Sequence, residues 1–159
     1  MLKFPNKKFL NADNFQDVLS GRKQPLIWTN GCFDIVHRGH IEYLSACKNI
    51  GGQLIVGINS DESVKRLKGA QRPLVPEEDR MIHIAAFEFV DFVVMFEEDT
   101  PLNWIKKVRP DYLVKGGDYK PGEIVGNSFV KSYGGQVMTI PLTPGRSTSS
   151  IIDKILQDR

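Results

Sequence analysis

Thr29-Asn30-Gly31-Cys32-Phe33-Asp34-Ile35-Val36-His37-Arg38-Gly39-His40 leaves one short apolar run and enters a helical pattern. The run before it spans Leu26 to Thr29, and the pattern after it places Ile41, Leu44, Cys47 and Ile50 on one face. A strand that turns sharply into a helix is the basic unit of an α/β sheet. Gly31 permits a tight turn at the strand end, and Gly39 lets backbone approach a ligand closely. The unpaired N–H groups of a helix start attract anions. His37 and His40 are spaced so that both rings reach the same anion if the helix begins near Gly39.

Further short runs rich in Val, Ile and Leu follow at Gln53 to Ile58, Phe92 to Phe96, Tyr112 to Val114 and Val137 to Ile140. None alternates cleanly, as is usual when a parallel sheet is covered on both faces. Helical patterns lie between them. One ends at Gly51-Gly52, a C-terminal stop. Another runs from Asp61 to Leu67, and a third starts near Pro76 with Glu77, Glu78 and Asp79 in its first turn. Thr100-Pro101 opens a fourth, with Thr100 as its cap. Ser147 caps a last helix that carries Ile151, Ile152 and Ile155. The alternation predicts a single α/β domain: a doubly wound, Rossmann-like, mostly parallel five-stranded sheet with helices on both faces. Ligands in such sheets sit beyond the carboxyl ends of the strands, where the motif lies.

Composition narrows the function classes. The 159 residues carry a formal net charge of +2, too small to argue for nucleic acid. Two cysteines, Cys32 and Cys47, point to a reduced, cytoplasmic setting rather than a disulfide scaffold. No apolar run is long enough to span a membrane, and Met1 to Asn11 lacks the apolar core of a signal peptide. Cys32, His37 and His40 do not form a structural zinc spacing. The absence of a Gly-x-x-x-x-Gly-Lys-Ser/Thr run excludes a P-loop machine. A lone Cys32 without a Cys-x-x-Cys partner argues against a redox protein.

Other segments carry candidate chemistry. Lys65, Arg66, Lys68 and Arg72 form a basic cluster, two of which read as a solvated helix end. The loop from Lys68 to Val75 reads as a lid. Arg80 sits in an acidic first turn and could simply pair with Glu77. Lys115-Gly116-Gly117-Asp118 is either a Gly-rich turn or a ligand contact. Pro144-Gly145-Arg146-Ser147-Thr148-Ser149-Ser150 is a serine-rich helix start, both a cap and a phosphate cradle.

The His37-Arg38-Gly39-His40 run resembles the His-x-Gly-His signature of the cytidylyltransferase-like nucleotidyltransferases. From about Leu26 onward the chain is similar to the adenylyltransferase domain of the bacterial bifunctional heptose-phosphate kinase/adenylyltransferases. The blocks that carry this likeness are Asn59-Ser60-Asp61, Lys65 to Gly69, Arg72-Pro73, Arg80-Met81, Phe96 to Pro101, Leu113 to Pro121 and Ser147-Thr148. The resemblance implies transfer of AMP from ATP to D-glycero-D-manno-heptose 1-phosphate, giving ADP-heptose and pyrophosphate for lipopolysaccharide or surface-glycan synthesis. It implies Mg²⁺ bound with the nucleotide phosphates and no protein-built metal site. His37, His40 and Lys68 would be catalytic. Nucleotide contacts would come from Gly31, Cys32, Phe33, Asp34, His37, Gly39, His40, Arg80, Gly117, Asp118, Arg146, Ser147 and Thr148. Acceptor contacts would come from Asn59, Asp61, Lys65, Lys68, Lys115, Gly116 and Asp118. Residues 25–159 would form the catalytic domain and residues 1–24 an N-terminal helical extension, with a helix from Asp13 to Leu19. The expected partners are the two small substrates and a second copy of the chain, with no nucleic acid or membrane; the sugar kinase would be a separate protein. Two alternatives stand beside this reading. One is a cytidylyltransferase acting on glycerol 3-phosphate, against which stands Leu142, where those enzymes carry an arginine. The other is a non-catalytic nucleotide-binding module.

Overall fold

The computed structural model describes residues 6–22, 24–117 and 119–157. The strands are β1 (Phe9–Leu10), β2 (Leu26–Gly31), β3 (Gln53–Asn59), β4 (Phe92–Phe96), β5 (Tyr112–Gly116) and β6 (Gln136–Ile140). The helices are α1 (Phe15–Ser20), α2 (Arg38–Lys48), α3 (Asp61–Lys68), α4 (Glu77–Ala85), α5 (Leu102–Val108), α6 (Asn127–Ser132) and α7 (Thr148–Gln157). The strands form one sheet in the order β1-β4-β3-β2-β5-β6, and every pairing is parallel.

From β2 the chain builds outward through β3 and β4, then returns to add β5 and β6 on the other side. The direction of winding therefore reverses between β2 and β5. A reversal of this kind opens a crevice beyond the carboxyl ends of the two strands, where ligands of doubly wound sheets bind.

The apolar runs are continuous because both faces are covered. Leu26 and Trp28 join the core with Ile55, Val94, Phe96, Trp104, Ile105 and Leu113. Ile27 points the other way, with Leu44, Leu54, Val56, Ile58, Ile84 and Val93. Successive residues of one strand thus feed two separate cores. Gly57 lets Trp28 lie flat against β3: a Cβ there would come within 2.6 Å of the indole ring.

The helix starts follow local capping chemistry. Ser60 caps α3 by accepting from Ser63 N, and Asp61 and Glu62 fill its first turn. Ser147 Oγ accepts from Ser150 N at the start of α7. The start of α5 departs from the sequence reading. Pro101, not Thr100, occupies the cap position, and no side chain caps the helix. Thr100 falls one residue too early to reach the free N–H groups.

The sheet has six strands rather than five. The added strand is β1, whose Phe9 and Leu10 pair with Val93 and Val94. The N-terminal segment thus supplies a strand as well as the helix Phe15–Ser20. Two residues give no alternation to read, so only the exposed edge of β4 reveals the strand. Helix α6 was equally hidden; it is six residues long and starts on Gly126 at φ 90°.

Replacing Gly57 with Ala should lower stability by about 1–3 kcal/mol through overpacking against the rigid, fully buried Trp28. Urea unfolding of the variant checks this; an unchanged midpoint would mean that the indole shifts freely.

Candidate active site

At the carboxyl end of β2 the backbone turns through Phe33, which holds the left-handed conformation at φ 48°. That conformation costs a non-glycine residue energy and persists only where the surroundings impose it. It folds the Phe33 ring beside Gly31, where a Cβ would stand 3.1 Å from the ring. The same ring meets His40 edge-on, with centroids 5.2 Å apart.

Helix α2 is anchored by the buried pair Thr29 Oγ1 and Tyr43 Oη, 2.6 Å apart. Its cap is His37, whose Nδ1 accepts from Gly39 N at 3.1 Å. That bond assigns the ring proton to Nε2, which is left to donate. The two motif rings stack, with centroids 3.9 Å apart and 22° between planes. The stack exists because residue 39 has no side chain: a Cβ there would lie 3.0 Å from the His37 ring.

Both histidines are held neutral. Burial lowers the His40 pKa to about 4, and the adjacent His37 adds to the effect. His37 is lowered by burial and then by the Arg146 guanidinium. His40 Nδ1 has no hydrogen-bond partner among the described residues although it is buried. The pair therefore presents neutral N–H groups at a helix start, ready to meet an anion that would favour their protonated forms.

Helix α7 begins beside α2. Thr148 Oγ1 donates to Ile35 O at 3.4 Å, and Thr143 Oγ1 donates to Glu42 Oε2 at 2.5 Å. Two helix N-termini consequently face one space. That space is a cavity of about 550 Å³ at the switch point between β2 and β5.

Of the residues assigned from sequence, Gly31, Cys32, Phe33, Asp34 and His40 line the cavity from the β2 side. Asn59 and Lys68 line it from β3 and α3, and Lys115 and Thr148 from β5 and α7. Lys115 Nζ reaches Asn30 O at 3.5 Å, and burial lowers its pKa. His37, Gly39 and Ser147 belong to the helix starts that contribute His40 and Thr148, but do not themselves line the cavity. Arg146 instead lines a separate groove along α7. Gly116 and Gly117 form the turn after β5, with Gly117 at φ 105°; a Cβ on Gly116 would come within 2.7 Å of Leu142. Asp118 lies outside the described residues.

Lys65, Asp61 and Arg80 are also outside the cavity lining, each engaged with another partner. Lys65 pairs with Glu62 at 2.6 Å on the exposed face of α3. Asp61 accepts from Arg80 Nη2 at 2.7 Å. Arg80 is the clearest departure. The sequence reading sets it against nucleotide phosphates, but the side chain is completely buried. Nε donates to Val75 O at 3.0 Å, Nη1 to Cys32 O at 2.6 Å and Nη2 to Asp61. Every nitrogen is engaged, so Arg80 braces the site from behind.

Asp34 is a second brace. Its buried carboxylate accepts from Arg72 Nε, Leu74 N and Val75 N at 2.6–2.8 Å. The lid predicted from Lys68 to Val75 is thus fastened at its far end, and the part from Lys68 to Gln71 is free of that clamp. Gly69, at φ 101°, caps the end of α3, and its carbonyl accepts from Arg72 N at 3.0 Å.

The cavity also has walls that sequence reasoning left unassigned: Asn30, Arg72, Asp99 to Pro101, Tyr119, Glu123 to Val125 and Ser149. Most lie on loops after strand ends, a positional signal that topology supplies and composition does not. Among the described residues, no group of three His, Cys, Asp or Glu could hold a metal ion, and no helix is long and apolar enough to cross a membrane.

Comparison with known proteins agrees with this geometry. Residues 28–154 match the cytidylyltransferase-like family. The bifunctional protein HldE of Campylobacter fetus subsp. fetus is 55% identical over 149 residues, covering 94% of this chain and 31% of that protein. Its counterpart in Trichlorobacter lovleyi is 47% identical over 155 residues, covering 96% of this chain and 32% of that protein. The chain thus spans about a third of the length of these relatives. Among solved structures, a lipopolysaccharide core biosynthesis protein from Thermoplasma volcanium superposes with a TM-score of 0.62 at 27% identity, over 76% of this chain and 97% of that one. Pantoate-beta-alanine ligase from Francisella tularensis, at 13% identity and a TM-score of 0.63 over 89% of this chain and 68% of that one, shares the fold.

Because His40 takes up its proton only near pH 4 when folded, against an ordinary value of 6.5, the unfolded chain binds more protons between those values. Stability should therefore fall as pH drops through that window. Thermal melts of wild type and His40→Asn from pH 7.5 to 4.5, in buffers chosen to bracket it, should show a shallower fall in the variant. Parallel curves would place the acid sensitivity elsewhere.

Proposed function

The chain belongs to the cytidylyltransferase-like family, and from that premise we propose that it is an adenylyltransferase that moves AMP from ATP onto a sugar 1-phosphate. D-glycero-D-manno-heptose 1-phosphate is the acceptor, and the product is an ADP-heptose for lipopolysaccharide or surface-glycan synthesis. Likeness to the bifunctional HldE proteins over nearly the whole of this chain supports the acceptor class. Residues 25–159 are the catalytic unit. The chain acts in the cytoplasm as a homodimer.

The observation that carries this reading is the convergence of two helix N-termini and the neutral His37–His40 stack on one cavity. An acceptor phosphate oxygen attacks the α-phosphorus of ATP in line. A bond forms from that oxygen to phosphorus, the bond to the bridging oxygen breaks, and pyrophosphate leaves with the electron pair. The nucleophile is already an anion, so no general base is needed. Positioning and charge stabilisation are what the protein supplies. His37 Nε2–H and His40 donate to the polyphosphate, and its charge favours the imidazolium forms as pyrophosphate develops. Thr148 and Ser147 present the start of α7 to the same group. Lys68, the last residue of α3, closes over the reacting phosphates, and Lys115 lines the same cavity. Mg²⁺ bound with the ATP phosphates would neutralise part of their charge. Leu142, packed over Gly116, supports ATP over the cytidylyl alternative, whose enzymes carry a cation there.

Pyrophosphate release with Mg²⁺ should occur with ATP and heptose 1-phosphate and not with CTP and glycerol 3-phosphate; the reverse preference would move the chain to the cytidylyl branch. His40→Ala should fold normally and lose roughly two to four orders of magnitude in turnover, and near-normal turnover would remove His40 from the site. Lys68→Ala should chiefly lower kcat; a change confined to KM would mean that Lys68 binds ground and transition states equally.

A further inference from the structure

A transferase that joins two phosphorylated substrates must hold two anions side by side, at a Coulomb cost that two separate anion-binding sites would offset. The helix starts of α2 and α7, with His40 and Thr148, form one such site. The strand order puts a different wall on the far side of β2, built from Asn59 at the end of β3, from Lys68 at the end of α3 and from Arg72 after it.

The four cations of the Lys65–Arg72 segment divide sharply. Lys65 is paired with Glu62, and Arg66 is paired with Asp99 and donates to Glu97 O. Lys68 and Arg72 line the cavity. Arg72 differs from the saturated Arg80 in a way that matters chemically. Only its Nε is engaged, donating to Asp34 Oδ2 at 2.6 Å. Among the described residues, neither terminal nitrogen makes a hydrogen bond. The Arg72 side chain is 22% exposed, whereas that of Asp34 is 1% exposed and already accepts two backbone N–H groups. A carboxylate anchored in that way fixes the plane of the guanidinium and leaves two nitrogens as a preset fork. A fork of that geometry suits a phosphate. The other carboxylate on this wall, Asp99, is occupied by Arg66 at 2.6 Å. Cys32 records the local field: Lys68, Arg80, Lys115 and Arg72 all stabilise its thiolate against the opposing effect of burial.

We propose that Arg72, oriented by Asp34 and joined by Lys68, is the anion subsite for the acceptor's phosphate monoester, distinct from the polyphosphate subsite at the helix starts. The proposal rests on the adenylyl-transfer reading for the acceptor's role, but the subsite itself is a claim about phosphate binding. Arg72 touches substrate; Asp34 is a positioning residue. Arg72, held by Asp34, receives the acceptor, and Lys68 at the end of α3 joins it.

Cys32 supplies a probe that is independent of turnover. It lines the cavity, whereas Cys47 is fully buried. Alkylation of Cys32 by iodoacetamide at alkaline pH, followed by mass spectrometry, reads occupancy of this wall. Inorganic phosphate should slow labelling of the wild type, and a non-hydrolysable ATP analogue should slow it by its own route. In Arg72→Gln the phosphate concentration for half-protection should rise by ~10-fold or more, while that for the ATP analogue changes little. Arg72→Lys keeps the charge but loses the fork, and it should fall between the two; it also serves if the glutamine variant folds poorly. Equal phosphate protection in wild type and Arg72→Gln would overturn the proposal. So would a parallel loss of protection by the ATP analogue, or the absence of phosphate protection in the wild type. A protein that behaves as expected here yet releases no pyrophosphate with any acceptor would keep the subsite and lose the proposed reaction.

Discussion

The site depends on one buried cation. Arg80 reaches the carbonyl of Cys32 in the β2–α2 turn, the carbonyl of Val75 before α4 and the carboxylate of Asp61 at the start of α3. Three segments distant in sequence are tied to one planar group. A guanidinium buried without partners would be prohibitive, so these bonds have to form together. Once they do, the strained turn at Phe33 has a fixed backing, and Asp34 meets Arg72, Leu74 and Val75 in turn. The His-x-Gly-His segment then leaves that turn at a defined angle. Rigidity under the site is what lets the charged side chains above it be placed before a ligand arrives.

The same logic explains the neutral histidines. Stacking His37 on His40 brings two like groups together in a half-buried place, and both resist protonation. In the empty cavity this avoids a repulsive pair of charges. Beside a polyphosphate the balance changes sign, because the anion favours the charged rings. Charge thus appears where and when the substrate brings its own, without a standing cationic pair to stabilise beforehand.

Much of the fold was legible because the apolar runs were unbroken and the helix starts carried their own caps. Gln53 to Ile58 and Phe92 to Phe96 read as strands covered on both faces, and Ser147 marked the last helix. What escaped had no local signature. Strand β1 is two residues whose identity as a strand comes only from β4, and the start of α5 is set by Pro101 rather than by the Thr that looks like a cap. The site divided along the same line. Residues on the glycine-bracketed turn and on the serine-rich helix start were found, since their chemistry is carried by neighbours in sequence. Arg72 and Arg80 could not be told apart, because the difference between a saturated guanidinium and an open one lies in partners such as Cys32 O and Asp34, far along the chain.

The placement of β1 also bears on how the chain assembles. Phe9 and Leu10 pair with Val93 and Val94, more than eighty residues further along the chain. Until β4 is in place Leu10 has no sheet to enter, and its pairing is among the most non-local in the molecule. Closing so long a loop for so few hydrogen bonds is entropically unfavourable until β4 is already seated on β3. Strand β1 is therefore among the last elements to lock, as a seam that closes the edge of a finished sheet.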